Sequence, residues 1–191
     1  TILISGASSG IGLKIAHKLL KEGNRVSAGI RDLESLEGSI IDPRNWPNEQ
    51  LILNKYDALD KNSSKNWISN TVKSFGSFDT LINSAGILSK VPFLYKDDDL
   101  DEIDKTMKIN FLAVWDLTRL CWEYLSSSKN GRIISIVSMS GKRSKGNLAA
   151  YSCSKFALMS ICQTMRNVGW EKGIRVTTIC PSWVNTKMAK G

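Results

Sequence analysis

The sequence predicts an α/β protein of one domain, spanning residues 1–191 and built on a parallel sheet. Short apolar runs alternate along the chain with longer segments whose apolar residues recur at helical spacing. A glycine-rich turn joins the first strand to the first helix. With 42% hydrophobic and 23% charged residues, the 191-residue chain is large enough to bury a continuous core.

Composition and charge disfavour several classes of protein, including membrane-spanning, secreted, metal-binding and nucleic-acid-binding ones. No apolar run approaches the ~20 residues of a membrane-spanning helix, and the N-terminus lacks the basic flank of a signal peptide. The four cysteines show no metal-binding spacing, so we expect reduced thiols, no metal site and a cytoplasmic protein. The net charge of +8 is spread along the chain, which disfavours nucleic acid as a partner.

The first strand, residues 2–4, runs directly into a glycine loop and a helix. Its glycines follow the spacing G-x-x-x-G-x-G, which allows a tight turn and lets backbone N–H groups approach a pyrophosphate near the helix N-terminus. Glycines that merely end a strand are the alternative. The position of the loop favours a dinucleotide site formed by Gly6, Ser8, Ser9, Gly10, Ile11 and Gly12.

The second strand, residues 25–30, ends where the adenosine ribose of a bound dinucleotide would lie. An acidic residue at this point accepts hydrogen bonds from a ribose 2′-OH, whereas an arginine accommodates a 2′-phosphate. Here Ile30 ends the strand and Arg31 follows. The pattern favours NADP(H) over NAD(H); the alternative is that Arg31 is an ordinary surface cation.

The third and fourth strands end in residues that suit the adenosine half of the cofactor. Residues 51–53 lead to Asp57, whose carboxylate we expect to accept from the adenine amino group, while Asp60 caps the helix over 61–75. Residues 78–82 lead to an Asn-Ser-Ala-Gly segment whose backbone can lie against the ribose, unless it is a simple strand-to-loop turn. Its candidate binding residues are Asn83, Ala85 and Gly86.

One continuous helix is predicted over 103–125, after an acidic run that suits a helix start. Its apolar residues cover more than one stripe, which indicates a contact between subunits as well as core packing. Asn110 is the polar exception, and a buried amide must find hydrogen-bond partners. We expect Asn110 either to tie elements together or to hold a water.

The fifth strand, residues 131–138, delivers Ser138 to the edge of the sheet where the other candidates gather. Tyr151 and Lys155 fall four residues apart in the next helix, so they share one face. An ammonium beside a phenol favours the phenolate, which suits acid–base chemistry; the alternative is a surface pair at a helix start. Pro181 ends the sixth strand, residues 174–180.

Together these motifs resemble those of the short-chain dehydrogenase/reductase family, in its compact single-domain form. The resemblance spans nearly the whole chain and includes six motifs in order: Gly6-x3-Gly10-x-Gly12, Asn83-Ser84-Ala85-Gly86, Asn110, Ser138, Tyr151-x3-Lys155 and Pro181-x4-Thr186. It implies a Rossmann-like, doubly wound parallel sheet with strand order 3-2-1-4-5-6 and helices on both faces. It also implies a homodimer or homotetramer.

The resemblance implies a role for each site residue. Tyr151 would protonate a carbonyl oxygen, or act as base in alcohol oxidation, and Ser138 would orient that oxygen. Lys155 would hold the nicotinamide ribose and lower the pKa of Tyr151, while Asn110 would support a water that carries a proton to Lys155. The nicotinamide would contact Ile11, Pro181, Val184 and Thr186.

The sequence departs from the family pattern at Ser84, where Asn is commoner, and at Ser182, where Gly is commoner. It starts without Met and stops where the family continues through a substrate-covering segment and a further strand, so we expect it to be incomplete at both ends. The predicted function is NADP(H)-dependent reduction of a small carbonyl compound. The alternatives are reduction of a 3-oxoacyl thioester, a non-catalytic NADP(H)-binding regulator, and a binder of nucleic acid or of an anionic partner that uses Lys142, Arg143 and Lys145.

Overall fold

The computed structural model describes residues 1–144 and 146–190, and within them it contains one sheet of six parallel strands. The strands run in the order β3-β2-β1-β4-β5-β6. They are Ile2–Ser5 (β1), Val26–Ile30 (β2), Leu51–Lys55 (β3), Thr80–Asn83 (β4), Arg132–Ile136 (β5) and Arg175–Ile179 (β6). The predicted fold class and strand order are confirmed.

Helices lie on both faces of this sheet. They are Gly10–Lys21 (α1), Lys61–Phe75 (α2), Leu100–Met107 (α3), Ala113–Ser127 (α4), Ala149–Trp170 (α5) and Lys187–Lys190 (α6). Among residues 1–144 and 146–190, none of them is both long enough and apolar enough to cross a membrane.

Alternate residues along each strand pack against opposite layers. Ile4 and Ala28 lie in one apolar cluster with Ala16 and Leu20 of α1. The neighbouring Leu3 lies in a second cluster, together with residues of α2 and α4. Because both faces of β1 and β2 are covered, every residue of these two strands is buried.

A buried hydroxyl on β2 holds α2 against the sheet. Ser27 Oγ accepts hydrogen bonds from Trp67 Nε1 at 2.8 Å and from Asn54 Nδ2 at 3.2 Å, and lies 2.6 Å from Thr71 Oγ1. The indole covers Gly29 so closely that a Cβ there would stand 2.7 Å from the ring. A side chain at Gly29 would therefore push α2 away from the sheet.

Helical backbone covers the whole of the helix predicted over 103–125, but it is not α-helical throughout. A π-helical turn, Lys108–Leu112, separates α3 from α4. The sequence did not predict this turn, because one extra residue in a turn changes the spacing of apolar side chains too little to be seen. The turn contains Asn110, whose side chain leaves the helix to bond other elements.

β6 forms one margin of the sheet. Within the residues that the structure describes, its outer edge pairs with no strand. On one of its faces Arg175, Thr177 and Ile179 are exposed in alternation. This strand is therefore covered less well than the other five.

Candidate active site

The carboxyl ends of the six strands meet at one edge of the sheet, and a predicted site residue lies at or just after each of them. In chain order these are Gly6, Arg31, Asp57, Asn83, Ser138 and Pro181. Residues far apart in sequence are thus neighbours because parallel strands all end on the same side.

Two glycines of the loop, Gly6 and Gly12, have no room for a side chain. Gly6 and Gly10 have φ angles of 70° and 56°, in the left-handed region that favours glycine. A Cβ on Gly12 would collide with the carbonyl oxygen of Gly6, and one on Gly6 would stand 2.7 Å from Ala85 Cα. Backbone therefore lines this hollow, directly before the N-terminus of α1. The hollow fits the phosphates of a dinucleotide, which backbone N–H groups and a helix N-terminus bind well.

Two contacts that the sequence did not reveal fix the segment after β4. Ser5 Oγ accepts from the backbone N–H groups of Ser84 and Ala85, at 3.2 and 3.3 Å. Asn83 turns its side chain into the interior, where Nδ2 lies 3.3 Å from Thr118 Oγ1 and 3.4 Å from Ser135 Oγ. Contact between a cofactor and Asn83 would thus involve its backbone rather than its amide.

The Asn110 side chain ties three elements together. Its Oδ1 accepts from Ile87 N at 2.8 Å, and its Nδ2 donates to Ile87 O at 2.9 Å and to Ser154 Oγ at 3.0 Å. These contacts confirm the expectation that Asn110 ties elements together. A Cβ on Gly86 would stand 3.1 Å from Asn110 Oδ1 and 3.5 Å from Lys155 Nζ, so glycine allows all three groups to approach.

Tyr151 and Lys155 form a buried pair, so the alternative of a surface pair is wrong. Tyr151 is 8% exposed and Lys155 is 5% exposed. The ammonium lies 5.7 Å from the centroid of the phenol ring and donates to Ile136 O at 3.3 Å. A strand end and a helix face therefore hold the cation beside the phenol.

Ser138 has an unusual backbone, with φ 153° and ψ 158°. Side-chain-bearing residues rarely adopt this conformation, which costs about 1–3 kcal/mol. The next residue is held in place, because Met139 N donates to Pro181 O at 2.9 Å. Ser138 Oγ accepts from Ser140 N at 3.1 Å. The segment after β6 therefore supports the strained backbone at Ser138. Strained backbone of this kind is often found at functional sites.

Burial shifts the pKa of both members of the pair. It lowers the pKa of the Lys155 ammonium to about 8. It also raises the pKa of the Tyr151 phenol, and the Ser138 hydroxyl opposes this rise in part. The direction for Tyr151 is opposite to the lowering expected from Lys155, because loss of hydration of the phenolate has the larger effect.

Three of the nicotinamide-end candidates, Ile11, Val184 and Thr186, line one cavity beside the glycine loop, and Pro181 does not line it. A cavity of about 610 Å³ is lined by residues of α1 and of the segment after β6, among them Gly10, Ile11, Val184 and Thr186. A Thr186 methyl would lie 3.3 Å from a Cβ on Gly10. Residues from opposite ends of the chain thus enclose one space.

The adenosine-end candidates are more open. Arg31 is exposed directly after β2. The Asp57 carboxylate accepts from Leu59 N at 2.9 Å, and the Asp60 carboxylate caps α2 by accepting from Asn62 N at 2.9 Å. The capping role predicted for Asp60 is confirmed.

Two of the candidate anion-binding residues follow Ser138 closely. Lys142 and Arg143 both donate a backbone N–H to Met139 O at 3.0 Å, and both side chains are exposed. Lys145, the third, lies outside the described residues.

A glycine cradle on a doubly wound parallel sheet, with a buried Tyr–Lys pair beside a serine, defines a dinucleotide-binding α/β protein. The family model described as short chain dehydrogenase matches residues 1–191, and the chain belongs to this family.

Relatives of known sequence agree with this assignment. An agropine synthesis reductase of Rhizobium rhizogenes is 38% identical over 98% of this chain and 43% of its own length. A dehydrogenase/reductase SDR family protein 7-like of Anopheles gambiae is 31% identical over 98% of this chain and 60% of its own. The chain thus spans about half the length of these curated relatives.

Solved structures show the same fold. A Caenorhabditis elegans short-chain dehydrogenase/reductase of unknown function, with cofactor, has a TM-score of 0.89 and 28% identity over 100% of this chain and 72% of its own. A Burkholderia cenocepacia short chain dehydrogenase in complex with NADP has a TM-score of 0.85 and 22% identity, over 99% of this chain and 74% of its own.

The buried ammonium predicts a pH dependence of stability. Because the pKa of Lys155 falls from 10.5 to about 8 on folding, the unfolded chain binds more protons between those pH values. Wild-type stability should therefore rise with pH over that range relative to Lys155→Met. Below pH 8 the variant should be the more stable, and its advantage should shrink by up to about 3 kcal/mol as pH rises.

Urea unfolding at a series of pH values, followed by tryptophan fluorescence, measures this difference. Lys73→Met, at an exposed position in the last turn of α2, is the matched control and should differ from wild type by a constant amount. A pH-independent gap for Lys155→Met would contradict the prediction.

Proposed function

We propose that the protein is an NADP(H)-dependent oxidoreductase that reduces a carbonyl group, or oxidises a secondary alcohol. The observation that carries the proposal is the burial of Tyr151 and Lys155 side by side, at the sheet edge where Ser138 also lies. Buried titratable groups with shifted pKa values, next to a cradle for phosphates, are typical of catalytic sites. When bound, the nicotinamide would supply or accept the hydride.

Tyr151 is the proposed proton donor. Its raised pKa keeps the phenol protonated at neutral pH, so it can give a proton to a carbonyl oxygen as negative charge develops there. Ser138 would donate a hydrogen bond to the same oxygen and hold it in place. The carbonyl oxygen thereby gains the proton that leaves Tyr151 as the phenolate.

Lys155 would act on Tyr151 rather than on the substrate. Once Tyr151 has lost its proton, the positive charge of the Lys155 ammonium stabilises the phenolate. The neutral phenol gains no such stabilisation. Because the pKa of Lys155 is about 8, it can release and regain a proton near neutral pH and so help restore the phenol. Asn110 would support this relay by holding the backbone of residue 87 against α5.

The relatives' names support oxidoreduction as the reaction class. They include an agropine synthesis reductase and a 3beta-hydroxysteroid dehydrogenase. A non-catalytic regulator is disfavoured because Asn110, Ser138, Tyr151 and Lys155 are all present. Arg31, exposed at the end of β2, supports NADP(H) as the preferred cofactor.

Tyr151→Phe tests the chemical step. Removing the phenolic proton should lower kcat/KM for reduction by about 10²–10⁴-fold, while NADPH binding is retained. A panel of aldehydes, ketones and 3-oxoacyl thioesters, followed by nicotinamide absorbance with the full-length protein, provides the substrate. Tyr124→Phe, on the exposed side of α4, is the control and should leave the rate unchanged. Wild-type activity in Tyr151→Phe would refute the acid assignment.

Arg31→Ala tests the cofactor preference. The substitution should weaken the binding of NADPH by about tenfold and leave the binding of NADH nearly unchanged, because only NADPH carries the 2′-phosphate. Fluorescence titration of each reduced cofactor measures both dissociation constants. Arg119→Ala removes the same charge from the exposed side of α4 and should change neither. Equal affinities of the wild type for NADPH and NADH would show the preference to be wrong.

We also propose that two copies associate through the π turn and α5. Leu112 and Trp115 lie one turn apart and are 47% and 46% exposed. Leu112 lies two residues after Asn110, whose amide donates to Ser154 Oγ in α5. Phe156 lies two residues after Ser154 and is 44% exposed. The π turn packs against α5, so these three residues leave exposed apolar surface on adjacent helical segments, and a second copy can cover it.

Charge on this surface should separate the copies. Trp115→Glu is expected to shift the protein to monomer in size-exclusion chromatography with light scattering, because an ion would be desolvated at the interface. Trp170→Glu, at an exposed position at the end of α5, is the control and should keep the oligomer. A wild-type monomer, or an unaltered oligomer in Trp115→Glu, would contradict the assignment.

A further inference from the structure

The strand register brings a second cation next to Arg31. β2 and β3 pair in parallel with Ile30 opposite Lys55, and Tyr56 N donates to Ile30 O at 2.8 Å just beyond that pair. Neighbouring strands lie about 4.8 Å apart. Lys55 therefore stands beside the residue that immediately precedes Arg31, although the two cations are far apart in sequence.

Lys55 occupies the open end of its strand. Side chains alternate along β3, and Asn54 points to the α2 face, where it bonds Ser27. Lys55 therefore lies on the opposite face, with Leu51 and Leu53. It is the last residue of β3 and its side chain is exposed. The ammonium consequently emerges at the edge where the cofactor candidates gather.

Neither cation is neutralised by the residues that the structure describes. No ion pair or side-chain hydrogen bond joins Arg31 or Lys55 to another residue in 1–144 or 146–190. The acids nearest in sequence are engaged elsewhere: Asp32 accepts from Glu34 N at 3.1 Å, and Asp57 accepts from Leu59 N at 2.9 Å. Arg31 and Lys55 are thus exposed cations at the ends of neighbouring strands, and none of the described residues forms an ion pair with either.

We propose that Lys55 is a second ligand of the adenosine 2′-phosphate, so that Arg31 and Lys55 bind it from two adjacent strands. Such a phosphate carries about 1.5 to 2 negative charges at pH 7 and three acceptor oxygens. One guanidinium neutralises only part of that charge. Arg31 can bind two oxygens with its planar fork, and Lys55 adds a point charge. The inference rests on the proposed preference for NADP(H).

Binding of two nucleotides without a nicotinamide tests this role apart from catalysis. 2′,5′-ADP and 5′-AMP differ only in the 2′-phosphate, so the ratio of their dissociation constants measures recognition of that group. Calorimetric titration of the full-length protein supplies both values. Lys55→Ala should lower the preference for 2′,5′-ADP by about tenfold and leave 5′-AMP unchanged. The loss should shrink at high salt.

Two further variants separate a ligand from a general charge effect. Lys55→Arg keeps the charge and should retain most of the preference. Lys73→Ala removes the same charge from the last turn of α2, away from the strand ends, and should change neither ligand. Thermal unfolding confirms that each variant is folded.

The results distinguish the role proposed for Lys55 from the NADP(H) preference on which that role rests. If the wild type prefers 2′,5′-ADP and Lys55→Ala keeps that preference, or weakens both ligands equally, then Lys55 is not a phosphate ligand. If the wild type binds both nucleotides equally, the NADP(H) preference is wrong and the role of Lys55 is refuted with it. Neither result affects the assignment of Tyr151.

Discussion

The close approach of the glycine loop to the segment after β4 is the constraint on which the rest of the structure depends. Gly6 packs its backbone against Ala85, and Gly12 packs against the carbonyl of Gly6. Ser5 adds two hydrogen bonds across the same gap. These contacts fix the start of α1 relative to the ends of β1 and β4. The phosphate cradle and the ribose-facing backbone are therefore positioned together rather than separately.

The catalytic candidates lie where the fold is locally unfavourable. Lys155 is a buried cation whose pKa is lowered by the loss of its hydration, and Ser138 holds a backbone conformation rare outside glycine. Neither feature stabilises the protein. Both persist because neighbouring strand ends and the Asn110 tie hold the surrounding backbone in place. Local rules are commonly broken at functional sites, while the remaining structure supplies the stability.

Much of the fold and of the site was predictable, because each motif depends on local spacing. The strand that enters the glycine loop, the four-residue step from Tyr151 to Lys155 and the capping Asp60 involve residues close together in the chain. Other features depend on contacts between distant segments. The π turn contains Asn110, whose amide bonds the distant Ile87 and Ser154, and the periodicity of apolar residues does not indicate this turn. The pKa of Tyr151 is raised by burial, and the residues next to Tyr151 in the sequence do not show that it is buried.

The sequence by itself determined the order of strands and helices, the glycine loop and the identity of the groups available for proton transfer. These are properties of composition and short-range spacing, which backbone geometry converts directly into local structure. Only the tertiary structure decided which groups meet. Parallel pairing set Lys55 beside Ile30, and so next to Arg31, and the folded core removed water from Tyr151 and Lys155. Register and burial arise from packing the whole chain, so they determine the charge and proton affinity of a site whose residues the sequence had already supplied.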